Sequence, residues 1–85
     1  MVYDVNVKRV TKVLKTSRRY LSWVQNSVFE GEITPGRLDA LKRDLREIID
    51  ETEDSILFYV WNTKHYKYRE TLGMNRGFID ENGII

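Results

Sequence analysis

Asp4 closes a short apolar run, Val2-Tyr3-Asp4-Val5-Asn6, and a segment rich in positive charge follows at once. Val7 to Tyr20 holds Lys8, Arg9, Lys12, Lys15, Arg18 and Arg19 and no acidic residue. A surface of that kind meets anions, and phosphate is the obvious one. A carboxylate beside phosphate points to a divalent metal ion. Mg²⁺ (or Mn²⁺) takes hard oxygen ligands, polarises a phosphoryl oxygen and lowers the pKa of a bound water. The chemistry implied is phosphodiester hydrolysis with Asp4 as metal ligand. From the residues alone a plainer role stays open, in which Asp4 favours the N-terminus of the following helix through its dipole.

Little else in the chain offers catalysis. His65, the only histidine, sits between Lys64 and Tyr66 in an expected turn and reads as a bystander. Glu30 and Glu32 read as solvent-facing strand residues. There are no cysteines, which excludes disulfides and thiolate zinc sites. No glycine-rich phosphate loop and no Ser-His-Asp set occurs.

The elements that must position Asp4 follow from spacing. Met1 to Tyr3 reads as a strand with Asp4 at its exit, and Asn6 as a helix N-cap. Val7, Val10, Val13, Leu14 and Leu21 recur at helical intervals. Lys8, Lys12, Lys15 and Arg19 form a stripe on the opposite face. Residues 22–33 favour a bent strand or a tight hairpin, with a break at Gln25-Asn26. Thr34 is the expected N-cap and Pro35 the first residue of a second helix. Its apolar stripe is Leu38, Leu41, Leu45, Ile48 and Ile49, and its other face mixes Lys42 and the arginines with acids. Ile56 to Trp61 reads as a strand covered on both faces. Asn62 to Tyr66 is a turn, and Tyr68 to Leu72 a short extra strand.

Eighty-five residues make one small domain with a marginal core, for which oligomerisation is a common remedy. The net charge of +1 hides an asymmetry: residues 1–25 carry a local +5 and residues 26–85 a local −4. No apolar run is long enough to span a bilayer and no signal peptide is evident, so no membrane role and a cytoplasmic location are expected. The order predicts an α+β, ferredoxin-like βαββαβ domain over residues 1–72 with an additional C-terminal strand. Residues 73–85 form a tail containing Met74, Phe78, Ile79, Ile84 and Ile85, expected to pack on a partner subunit. Two copies stacking their open sheet faces would make a homodimer.

These residues resemble a known family. Val2-Tyr3-Asp4-Val5, the basic first helix, Trp23 to Glu32 and Glu53-Asp54-Ser55-Ile56-Leu57-Phe58-Tyr59 are similar to the small CRISPR-associated Cas-two proteins. The resemblance implies a ferredoxin-like homodimer with a swapped C-terminal strand and metal-dependent nuclease activity. It also implies a role in spacer acquisition, in which the dimer bridges the Cas-one integrase and lies along duplex DNA. By that pattern Asp4 is the metal-binding aspartate, Tyr3 the catalytic-site tyrosine beside it, and Ser27 and Phe29 belong to a second motif. The basic residues of the first helix match in kind only. The family pattern has more apolar residues before the aspartate than Met1, Val2 and Tyr3. That implies either a start placed too late or a short first strand that holds Asp4 loosely.

Two other readings are separable from the scaffold reading. One is an endonuclease acting on RNA or DNA. The other is a ferredoxin-like RNA-binding or toxin-type domain without a CRISPR role, which would need exposed aromatics on its open sheet face.

Overall fold

The computed structural model describes residues 1–61 and 66–74. The elements are β1 (Val2–Asp4), α1 (Val7–Arg18), β2 (Ser22–Gln25), β3 (Val28–Glu30), α2 (Pro35–Arg46), β4 (Ser55–Trp61) and β5 (Tyr66–Gly73). The strands form one antiparallel sheet in the order β2-β3-β1-β4-β5, and both helices contribute to the core on one of its faces. This α+β arrangement is consistent with the expected ferredoxin-like fold.

Local chemistry sets the boundaries. The Asn6 side chain accepts from the Lys8 N–H at 3.1 Å, and the Thr34 hydroxyl accepts from the Arg37 N–H at 3.3 Å. Both act as the expected N-caps, and Pro35 opens α2. Residues 22–33 resolve into the tight hairpin, with Asn26 at φ 44°, a left-handed geometry asparagine tolerates.

Phe29, Leu41, Leu45, Ile56 and Val13 are fully buried at the centre of the core, with Tyr3, Leu38, Ile49, Phe58 and Leu72 around them. Each such side chain contributes roughly 1.5–3 kcal/mol by leaving water. Four expectations need correction. Val7, the first residue of α1, is 85% exposed and takes no part in the core. Leu21 lies beyond α1, where its N–H bonds the Ser17 carbonyl in a closing turn. Lys42 is buried, its Nζ 2.9 Å from Glu70 Oε1 on β5. Finally, within a single chain β4 is covered on one face only: Ile56 and Phe58 are buried, whereas Leu57 and Tyr59 are half-buried and Trp61 is exposed.

Gly73 ends β5 at φ 77°, and a Cβ there would collide with the Asp54 carbonyl oxygen. A Gly73→Ala chain should therefore lose about 2 kcal/mol or more, from left-handed backbone strain plus displacement of β5. Urea denaturation followed by circular dichroism measures it; an unchanged midpoint would refute the argument. The expectations for His65, for the turn from Asn62 and for the tail from residue 75 onward fall outside the described residues.

Candidate metal and nucleic-acid surfaces

Successive strand residues point to opposite faces of a sheet. On β1 this separates Tyr3 from Asp4. Tyr3 is buried on the helix side, its ring centroid 6.1 Å from that of Phe29. Burial raises the phenol's pKa, while a hydrogen bond with Ser27 and the nearby charge of Arg18 oppose the rise. Asp4 is exposed and pairs in register with Ser55, on the face without helices. Tyr3 and Asp4 are thus not brought together. Ser27 and Phe29 brace Tyr3, and the Ser27 carbonyl accepts from the Tyr3 N–H at 3.1 Å. The second motif shapes β1 from the core side, behind Asp4.

Around Asp4 the open face carries Val2, Val28, Leu57 and Tyr59, joined by the ladders of β3, β1 and β4, with Trp61 at the end of β4. Val2 is 38% and Trp61 64% exposed. Among the described residues no group of three potential metal ligands occurs. The Asp4 carboxylate is a hard oxygen donor of the kind Mg²⁺ takes. Since Mg²⁺ keeps several waters and uses one or two carboxylates, one chain meets the minimum and two Asp4 carboxylates meet it well.

The six basic residues sort into three groups. Lys8, Lys12, Lys15 and Arg19 are exposed along the outer face of α1. Lys12, Lys15 and Arg19, with Thr16 and Ile48, line a shallow depression of about 400 Å³. Arg18 turns the other way, its guanidinium 5.7 Å from the Trp23 ring. Arg9 turns inward and pairs with Asp54 and Glu53. The Lys and Arg19 stripe therefore faces away from the sheet, whereas Asp4 lies on the sheet's far side.

Asp54 is a residue that sequence reasoning missed. Its side chain is fully buried, yet its carboxylate is saturated with donors. Oδ1 accepts from the Asn6 N–H at 2.9 Å and Arg9 Nη2 at 3.1 Å; Oδ2 accepts from Arg9 Nε at 2.5 Å and the Asp50 N–H at 2.9 Å. Burial works against its ionisation, but the Arg9 guanidinium and the two backbone donors more than offset this and hold its pKa at about 2. Arg9 is in turn held protonated, first by Asp54 and then by Glu53. The signal available beforehand was an acidic pair directly before β4 and an arginine in the first turn of α1.

The family described as CRISPR associated protein Cas2 matches residues 1–69 of this chain. The chain belongs to the Cas2 family. These are the Cas-two proteins that its sequence resembles. A Thermotoga maritima protein named CRISPR-associated endoribonuclease Cas2 is 53% identical over 85 residues, covering all of this chain and 94% of its own length. One of the same name from Dictyoglomus turgidum is 53% identical over 76 residues, covering 89% of this chain and 87% of its own. CRISPR-associated endoribonuclease Cas2 2 of Archaeoglobus fulgidus is 46% identical over 84 residues, covering 99% and 91%. In this Cas2 chain the Asp4 carboxylate and the basic stripe of α1 occupy different faces. No helix among the described residues is long and apolar enough to cross a membrane.

Proposed function

We propose that this chain acts in a CRISPR system as a homodimeric, Mg²⁺-dependent endonuclease whose Asp4 carboxylates hold the metal and whose preferred substrate is RNA. The observation that carries the reading is the placement of Asp4 on an uncovered, partly apolar sheet face. A second copy covering that face would bury Val2, Leu57 and Tyr59 and bring two Asp4 side chains toward one two-fold axis. The metal, when bound, supplies positive charge to a phosphoryl oxygen and acidifies a water. The protein's own residues set the carboxylate's position and keep the strand rigid behind it. The choice of RNA rests on the relatives' names.

Sedimentation velocity and Mg²⁺-dependent cleavage of labelled RNA test this together. The parent chain should be a dimer and should cleave. Leu57→Asp, a half-buried position on the open face, should be monomeric and inactive with its core intact. A monomeric parent, or a Leu57→Asp dimer, would sink the reading.

A second activity is favoured by the α1 stripe. Lys8, Lys12, Lys15 and Arg19 suit contacts with phosphates of a duplex, such as DNA held for the Cas-one integrase. Phosphate contacts give affinity without sequence preference and depend steeply on salt. Replacing Lys12 and Lys15 together by Ala should weaken duplex binding uniformly across sequences. It should also reduce the slope of log affinity against log salt by about 2. Fluorescence anisotropy over a salt series measures it, and an unchanged slope would place the duplex elsewhere. The RNA-binding or toxin-type alternative predicts instead that Trp61→Ala weakens RNA binding and leaves the dimer unchanged.

A further inference from the structure

The short β1 poses a mechanical problem. Asp4 is its last residue, and the ladder that pairs Asp4 with Ser55 stops there. A carboxylate at the frayed end of a three-residue strand would be poorly placed for a metal. The remedy lies beneath it. Asn6, two residues past Asp4, gives its N–H to Asp54 Oδ1, and Asp54 immediately precedes Ser55, the register partner of Asp4. The contacts close a small ring: Asp4 to Ser55 by the ladder, Ser55 to Asp54 by the chain, Asp54 to Asn6 by a hydrogen bond, and Asn6 back to Asp4. Arg9, in the first turn of α1, grips both oxygens of Asp54 and so ties the helix to the same ring.

Two further segments join at this point. The Asp50 N–H, from the loop after α2, donates to Asp54 Oδ2, and the Met74 N–H, just past β5, donates to the Asp54 carbonyl at 2.7 Å. A buried ion pair of this kind is a poor route to stability, since apolar residues of similar volume do as well or better. Its directional bonds are what an apolar replacement would not supply.

We propose that the Asp54–Arg9 pair is the positioning device of the Asp4 site. It fixes the corner between β1 and α1 from the core side, so that the Asp4 carboxylate is held on the open face. This rests on the reading of Asp4 as metal ligand. Removing the clamp should loosen the corner without touching the metal ligand, the basic stripe or the dimer face.

Asp54→Asn and Arg9→Lys test it beside Asp4→Ala. Arg9→Lys keeps the charge but loses the two-pronged grip, and it is the milder variant should Asp54→Asn fold poorly. Mn²⁺ binding, followed by the electron paramagnetic resonance of the free ion, should weaken roughly 10–100-fold in Asp54→Asn and less in Arg9→Lys, as for other groups that orient a ligand. For RNA cleavage kcat should fall while KM stays within about twofold, because the phosphate-binding stripe is unaltered. Amide exchange at Asn6 should quicken while that of Leu41 and Phe29 stays slow. Parental Mn²⁺ affinity and kcat in both clamp variants, with both lost in Asp4→Ala, would overturn the positioning role alone. Parental Mn²⁺ affinity in Asp4→Ala would overturn the metal site itself, and this proposal with it.

Discussion

Replacing Asp54 by Ala should destabilise the chain by about 3–5 kcal/mol, the cost of leaving a largely buried charge without its partner. Arg9 would keep its ion pair with Glu53, which is half-exposed, and the Asn6 and Asp50 N–H groups would lose their acceptor. For a small domain this is a large share of total stability. The effect should also appear as a change in acid sensitivity. The Asp54 pKa of about 2 lies below the usual carboxylate value, so its stabilisation is complete above the unfolded-state pKa. That contribution, on the order of 2–3 kcal/mol, is lost as pH falls from about 4 to about 2. In that window the parent should lose stability more steeply than Asp54→Ala. Urea denaturation at a series of pH values measures both. A loss below about 1 kcal/mol, or parallel pH curves, would show that the pair does little.

The features legible in the sequence are those set by neighbours along the chain. Asn6, Thr34 and Pro35 announce the helix starts because capping is a matter of three or four residues. The stripes of α1 and α2 follow from helical spacing, and Asn26 marks the hairpin because few other residues accept a left-handed backbone. Val7 and Leu21 fit the same spacing, yet Val7 is exposed and Leu21 packs on the core from beyond the helix, since periodicity does not say where a helix ends or which of its turns touch the sheet. What local spacing does not encode is pairing across the fold. Arg9 and Asp54 are 45 residues apart, and Lys42 meets Glu70 across 28. Counting charges placed Arg9 with the phosphate-facing residues and Lys42 on a solvated face, because neither partner was in view. The separation of Tyr3 from Asp4 was legible in principle. Once both are placed on one strand, its period of two sends them to opposite faces.

Asp4→Ala should reduce Mg²⁺-dependent RNA cleavage by more than about 100-fold, since even groups that only orient a metal ligand cost roughly 10–100-fold when removed. Duplex DNA affinity should stay within about twofold, because the phosphate contacts proposed for α1 lie on the other side of the sheet. The same substitution gives a second, independent readout. Two carboxylates brought together at a dimer axis repel each other, and a cation between them reverses the sign of that contribution. The parent dimer should therefore tighten when Mg²⁺ is added and loosen in chelator, by the linkage that couples any ligand to the state it binds. Asp4→Ala should form a dimer whose dissociation constant ignores Mg²⁺ and is no weaker than that of the parent in chelator. Sedimentation equilibrium with and without Mg²⁺ decides it. Equal Mg²⁺ dependence in parent and variant would move the metal away from Asp4. Equal cleavage by the two chains would move the chemistry away as well, and would leave the basic stripe as the functional surface of this Cas2 chain.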